Sequence, residues 1–458
     1  MNYALINQLE EKIENVKFGK LQWKLFFLCG MGWAADMMWI TGNAIFMNEI
    51  GEEWGVPVYQ RSALPFGLML GVFVGSYAWG TISDRRGRML PFKRTLIISV
   101  ISGAIGCASM NVWMMAVCFF GAGLGLGGNL AVDGAVFIEY CPNKSRHMLT
   151  GMSIVCVFGS ILVCGCAWLY LGIGLPEMWR FLLVTIVFIT LVSAIFRFSI
   201  NETPHYLISK GKISEAEWVI SEMLKYNGEE GVNIPLNSIE VQQENMPEHL
   251  DIRGQIKLLL SPPLRRSLVF YIMIWFFTAF TFTGFGSYLP EIMRRAGAGD
   301  TDNQSLYMTM FLQQLSGIPA VILATYLVKS SLGRKWTQAI TLLLGSAFIF
   351  GFLTSSYDIL MVCSVIFYLL TLIAYSVQYA ITPEAFPAEV RSSAVGICNC
   401  ANRLASMISP ILAGILLEFT SNDVPAVILF SASLAAAGLS GCFIKETKDM
   451  PKINVCQR

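Results

Sequence analysis

The chain has 458 residues, 55% of them hydrophobic and only 14% charged, with a net charge of +1. A soluble globular chain carries about 25% charged residues, so this composition excludes a soluble enzyme and points to an integral membrane protein with many spans. The small net charge decides nothing by its size; its distribution along the chain does.

Residues 1–20 are polar and mix Glu10, Glu11 and Glu14 with Lys12, Lys17 and Lys20. No cleavable signal peptide is evident there, and we expect the first span to serve as the insertion signal. Twelve apolar runs approach the roughly 20 residues that cross a bilayer. They lie at residues 24–47, 62–83, 94–110, 112–140, 147–171, 178–199, 267–290, 305–329, 336–355, 358–381, 392–417 and 424–444. Arg85, Arg86, Arg88, Lys93, Arg94, Lys144, Arg146, Arg334, Lys335, Lys445 and Lys448 fall on one side; Glu49, Glu52, Glu53, Glu177, Asp358 and Asp423 fall on the other. That bias places both termini in the cytoplasm. Arg294 and Arg295 run against it, beside Glu291, Asp300 and Asp302.

A polar stretch at 200–266 separates two groups of six spans, giving an N-terminal bundle (1–199), a cytoplasmic linker and a C-terminal bundle (267–458). Within the linker, Ile213, Ala216, Val219, Ile220, Met223 and Leu224 repeat at helical spacing before Gly228, which predicts an amphipathic helix with a glycine stop. Ile252, Ile256, Leu259 and Leu260 predict a shorter one, and 228–250 is expected to be irregular. The fold class is an all-α membrane protein of twelve transmembrane helices in two pseudo-symmetric six-helix bundles.

The chain repeats itself. Glu139, Arg146 and Gly151 recur as Glu384, Arg391 and Gly396, at an offset of 384 − 139 = 245. Gly87-Arg88 is echoed by Gly333-Arg334, although Ser330 stands where the first copy has Asp84. Parallel halves of this kind build rocker-type transporters, with the substrate held near midplane.

Several motifs carry a family likeness. They are Gly80-Thr-Ile-Ser-Asp84-Arg85-Arg86-Gly87-Arg88, Gly123-x-Gly125-x-Gly127-Gly128, Asn201-Glu-Thr-Pro-His-Tyr-Leu207, Pro383-Glu384-x-Phe386-Pro387-x-Glu389-x-Arg391 and Glu446-Thr447-Lys448. The set resembles the major facilitator superfamily, in its sugar-porter and metabolite:proton symporter branch. Phe18-Gly-Lys-x-Gln-Trp-Lys24 with Asp36-Met37-Met38 is similar to synaptic-vesicle-protein-related and bacterial niacin transporters. The resemblance implies a monomer that works by alternating access on a small-molecule substrate, with protons as partner. Phe119 stands where such transporters often carry an arginine tied to proton coupling, and His205 where an arginine is usual after span six.

Ionisable residues inside spans are costly and mark function. Asp36 in span one and Asp133 in span four are candidate proton carriers; burial favours a protonated carboxyl and a nearby cation opposes it. Arg403 in span eleven, seven residues before Pro410, is the candidate substrate contact, because a guanidinium stays charged and grips a carboxylate with two hydrogen bonds. The resemblance to organic-anion carriers, which hold an arginine at this place, implies an anionic substrate such as a small aromatic carboxylate. A structural Asp36–Arg403 pair is the competing reading.

Tyr375, Gln378 and Tyr379 share one face of span ten at i, i+3, i+4. With Trp39, Asn43, Phe285, Asn399 and Asn402 they are candidate cavity residues for a flat ring. Asp84, Arg85, Arg88, Glu139, Arg146, Glu384 and Arg391 lie at cytoplasmic helix ends and are expected to form ion pairs that break on switching.

The 12 cysteines are scattered without metal-ligand spacing; we read them as small core residues, with no metal and no cofactor. No phosphate-binding loop is present, and no nucleic-acid partner is expected. The alternatives to an anion carrier are a carrier of a neutral sugar or polyol, and a non-transporting receptor on the same scaffold. The membrane is the plasma membrane or that of an intracellular vesicle, and Asn303-Gln-Ser305 is an outer-loop glycosylation sequon.

Overall fold

The computed structural model describes residues 16–142, 145, 148–174, 177–228, 252–297, 303–354, 356–387, 390–420 and 422–447. Among them, twelve helices are long and apolar enough to cross a membrane. They are Lys20–Glu53, Val58–Ser83, Met89–Cys107, Val112–Tyr140, Ile154–Leu171, Met178–Arg197, Leu264–Arg295, Asn303–Lys329, Gly333–Leu353, Tyr357–Glu384, Ser393–Phe419 and Val424–Phe443. A helix satisfies its own backbone donors and acceptors, which is why apolar runs of this length take that form in lipid. The predicted boundaries hold to within a few residues, except that spans one and seven run on well past their apolar cores to Glu53 and Gly297.

The linker helix forms as Ile213–Asn227 and stops at Gly228, whose φ of 78° is the left-handed conformation glycine adopts without strain. Its buried face, Ala216, Val219, Ile220 and Met223, joins a cluster with Val16, Leu25 and Leu207. Asn227 then fastens it to span one, its Oδ1 accepting from the Leu21 amide at 3.0 Å. The shorter helix, Ile252–Leu259, also forms, and its Gln255 accepts from Ser393 Oγ at 2.5 Å. Most of the stretch expected to be irregular, 229–250, lies outside the described residues.

By contacts the chain makes two compact units. One holds residues 1–42, 70–163 and 180–244; the other holds 43–69, 164–179 and 245–458. Residues 43–69 and 164–179, which chain order places in the first half, therefore make their contacts in the second unit.

In the first unit the glycine run of span four is a packing device. A Cβ at Gly127 would lie 2.3 Å from the Val72 carbonyl oxygen, and one at Gly71 would lie 2.1 Å from that of Phe120. Spans two and four thus touch backbone to backbone, the close approach that small residues permit between membrane helices.

Each unit also carries a matching cap. The Glu202 carboxylate accepts from the Arg88 and Met89 amides at 3.0 and 3.2 Å, at the start of span three. Glu446 accepts from the Arg334 and Lys335 amides at 3.1 and 3.0 Å, at the start of span nine. A carboxylate on the unpaired amides of a helix N-terminus is favoured by hydrogen bonds and by the helix dipole. Both caps follow a left-handed glycine, Gly87 at φ 105° and Gly333 at φ 68°. A Cβ at either would strike the capping carboxylate, at 2.4 and 2.5 Å. The offset, 446 − 202 = 244, matches the repeat in the ion-pair residues.

Two outcomes follow. Gly127→Val should lower the folded, monodisperse fraction in detergent severalfold, whereas Gly286→Ala, where an added Cβ meets nothing within 4 Å, should be neutral on the same size-exclusion assay. Glu202→Gln and Glu446→Gln should each cost about 1 kcal/mol and lower the melting temperature by similar amounts, since both remove a charged cap from the same kind of helix start.

Candidate functional site

In the second unit, polar and aromatic side chains gather around Arg403. The residue is half-buried in span eleven, and no carboxylate lies within ion-pair range of it among the described residues. It lies in the field of the Tyr375 hydroxyl, which is within hydrogen-bonding range of Asn402. Phe282 of span seven meets the Tyr375 ring edge-on at 5.4 Å and the Tyr368 ring at 5.8 Å. Tyr368 donates a short hydrogen bond to Gln314 of span eight. Tyr379, half-exposed, meets Trp275 edge-on at 4.8 Å, and Trp275 Nε1 donates to Thr382 Oγ1 at 2.9 Å.

Gln378 is fully buried, with neither amide atom paired. Leaving a buried polar group unmatched costs about 1–3 kcal/mol. Asn399 is half-buried one turn before Arg403. Phe285 and Trp39 are placed differently from the cavity positions expected of them. Phe285 is core, wedged among Phe352, Phe367 and Phe430 in the second unit. Trp39 is core of the first, against Phe119 and Gly103. Asn43 is buried in the second unit, with its Oδ1 unpaired.

In the first unit, both candidate acids belong to one buried network. Asn129 Nδ2 donates to Asp36 Oδ1 at 2.8 Å. Arg197 Nη1 donates to Asn129 Oδ1 at 3.3 Å, and Nη2 donates to Asp133 Oδ2 at 2.5 Å. Asp133 and Arg197 are both fully buried. Arg197 also donates to the Phe92 carbonyl at 2.9 Å and lies over the Phe92 ring at 4.4 Å. Gly32 makes room for the pair, because a Cβ there would lie 1.8 Å from Arg197 Nη2. Asp36 and Arg403, read from sequence as a possible pair, belong to different units. Sequence reasoning missed Asn129 and Arg197. The first directly follows the glycine run, and the second resembles a loop arginine at a span end.

The helix-end charges pair within each unit. Arg88 Nε meets Glu139 Oε1 at 2.9 Å, and Arg334 Nη2 meets Glu384 Oε1 at 2.9 Å. Thr203 and Thr447 donate to the same two glutamates at 2.6 and 2.9 Å. His205, at the place of the usual arginine, lies 2.8 Å from the Glu139 carbonyl through Nδ1. Arg85 and Arg391 are exposed, and the side chains of Asp84 and Arg146 lie outside the description.

At the far end of the second unit, the two anomalous arginines find acids. Arg294 pairs with Glu49 at 3.0 Å and with Glu52, and Tyr307 bonds to Glu49. Arg295 pairs with Glu291 at 2.9 Å and Asp423 at 3.6 Å, and Arg61 with Glu291 at 3.3 Å. The Val58 amide donates to Glu418 at 2.8 Å, and Tyr288 donates to the Val58 carbonyl at 3.0 Å. Burial pushes the Asp423 carboxyl above the usual carboxylate range; Arg295 opposes that shift and Glu291 adds to it. Asn303, of the sequon, accepts from Arg294 at 3.4 Å.

Comparison with known proteins agrees with this architecture. The sugar (and other) transporter family model matches residues 58–454. The niacin transporter NiaP of Acinetobacter baylyi is 26% identical over 419 residues, covering 88% of this chain and 89% of its own. The synaptic vesicle 2-related protein of Xenopus laevis is 26% identical over 462 residues, covering 96% of this chain and 81% of its own. The inward-open structure of the xylose transporter XylE from E. coli superposes with a TM-score of 0.72 at 16% identity, over 93% of this chain and 97% of that one. The chain is a multi-pass membrane protein and belongs to the sugar (and other) transporter family of the major facilitator superfamily, whose members found here are transporters and not enzymes.

Proposed function

We propose that the chain is a secondary active transporter of a small organic anion, of the aromatic-carboxylate kind, working by alternating access with protons. Arg403 carries this reading. A half-buried guanidinium with no carboxylate in reach among the described residues is a charge in search of an anion. A guanidinium fits a carboxylate with two parallel hydrogen bonds. The edges and faces of Phe282 and Tyr375 suit a flat ring, and Asn402 and Gln378 offer amides to its polar atoms. The niacin transporter among the relatives supports the choice of cargo. Asp36 and Asp133 are the two acids of the proton-coupling network.

The far-end ion pairs are the closed outer side. They join the ends of spans one and two to span seven, and span seven to Asp423 at the start of span twelve, so alternating access requires them to open. The Arg88–Glu139 and Arg334–Glu384 pairs are the switch set of the cytoplasmic side, where both termini lie. The membrane is a vesicle membrane or the plasma membrane, and the synaptic vesicle 2-related relative fits the former.

A neutral sugar or polyol is the second reading. The unpaired amide of Gln378 suits hydroxyl groups, and the family's breadth allows such a cargo.

The first test is uptake of labelled nicotinate into proteoliposomes, with and without an inward proton gradient. Arg403→Ala should lower uptake about tenfold or more, since truncating one partner of a buried charge pair costs about 2 kcal/mol or more. Asp36→Asn should remove only the gradient dependence. No nicotinate uptake by the parent, with uptake of a sugar in its place, would transfer the function to the second reading.

The outer lock is tested by labelling Asn43→Cys with an impermeant maleimide, in a background without other reactive cysteines. Arg294→Ala with Arg295→Ala should raise labelling severalfold. Because the Asp423 pKa is raised, Asp423 takes up its proton before an ordinary aspartate as pH falls. Acid outside should then also raise labelling, and Asp423→Asn should blunt that response.

A further inference from the structure

Both acids of the first unit answer to one guanidinium. We propose that Arg197 is a positioning residue for the transported proton: it holds Asp133 as a carboxylate and, through the Asn129 amide, sets the proton binding of Asp36. This rests on the proton coupling proposed above and goes further by naming which acid carries the proton and what controls it.

Hydrogen-bond chemistry fixes the roles. Arginine donates and never accepts, so the Asn129 atom facing Arg197 at 3.3 Å must be its carbonyl oxygen. The NH₂ of Asn129 is then committed to Asp36, at 2.8 Å, and the Asp36 oxygen there must accept. An accepting oxygen belongs equally to a carboxylate or to the C=O of a carboxylic acid, so Asp36 gains or loses a proton without breaking this bond. Asp133 differs in that a cation, not an amide, is its donor. Its Oδ2 accepts directly from Arg197 Nη2 at 2.5 Å, with no water access for either group. Such a contact holds the carboxylate form. Protonating Asp133 would leave a buried guanidinium uncompensated, and that is the costlier state.

The network is also attached to a moving part. Asp36 and Gly32 lie one turn apart on span one, and the Gly32 backbone rests on the Arg197–Asp133 pair. A shift of span one against spans four and six would change both the Asn129–Asp36 bond and the space around the pair. Asp36 proton occupancy and span-one position are therefore linked through the same three side chains. Among the described residues, thiols also lie by the cluster: Cys29 on span one near Asp133 and Arg197, with Cys141 beside it, and Cys156 on span five near Asp36.

The test reads carboxyl protonation directly, without a substrate. Infrared difference spectra of the full chain in lipid, carrying Asp423→Asn throughout so that this acid adds no band, are taken across a pH series and report the C=O band of a protonated carboxyl. Asp36→Asn should delete the titrating band. Asp133→Asn should keep it but move its midpoint down by about one pH unit, because Arg197 is then released toward Asp36. Asn129→Leu should move it up. Arg197→Gln should add a second protonated carboxyl, and Arg197→Lys, which keeps the charge, should hold the number at one. If Arg197→Gln does not yield folded protein, the opposite shifts of Asp133→Asn and Asn129→Leu carry the test. A band that survives Asp36→Asn, or midpoints that ignore both Asp133→Asn and Asn129→Leu, would overturn the proposal. Nicotinate uptake by the same variants separates the outcomes. A parent that shows the band but no uptake loses the anion reading and keeps the proton site.

Discussion

The pair between Asp133 and Arg197 is fully shut off from solvent, and much of the first unit is arranged to make that tolerable. Taking two ions out of water costs several kcal/mol each, and their attraction offsets this only when geometry is close and remaining donors are met. Here the contact is 2.5 Å, and Phe92 and Asn129 accept two further guanidinium bonds, while Arg197 Nε and Asp133 Oδ1 have no partner among the described residues. Three spans must converge for this, and a fourth, span one, must leave room. Glycine supplies both conditions: the run in span four lets it settle onto span two, and Gly32 leaves the space that a methyl group would take from Arg197. A motif that reads as flexibility in a sequence acts here as a spacer of zero thickness.

The second constraint is symmetry. Each unit starts a span with a left-handed glycine, caps it with a glutamate from a distant segment, and pairs the following arginine with a glutamate at the end of the next span, four or ten. The caps come from the Asn201-Glu-Thr and Glu446-Thr447 motifs, so segments after spans six and twelve fasten the starts of spans three and nine. Threonine in each motif then bonds the partner glutamate, which closes the circuit. Because the groups sit at helix ends, their charge works with the helix dipole as well as with each other. Charge at the far end has no such counterpart in the repeat: Arg294, Arg295 and Arg61 share Glu49, Glu52, Glu291 and Asp423 across segments of different halves of the chain.

The fold was legible because its cause is local. Twelve apolar runs, a glycine stop at Gly228 and an offset of about 245 between loop motifs all follow from residue type and spacing. Arg403, Tyr375 and Asn402 are conspicuous in the sequence as a charge and polar side chains inside apolar runs. Trp39 and Phe285 were not. An aromatic ring within a span is equally at home in core or cavity, and only the neighbours, Phe119 and Gly103 for one and Phe352 and Phe430 for the other, settle which.

The sequence by itself determined the membrane class, the number and order of spans and the repeat, because bilayer thickness and backbone hydrogen bonding act on each segment separately. Only the tertiary structure decided which charges meet. Arg197 is 64 residues from Asp133, and Asn129 is 93 from Asp36. No periodicity within a helix relates such positions. Their pairing follows from which helix faces are brought together, and in this chain that is set by where glycine allows two backbones to touch.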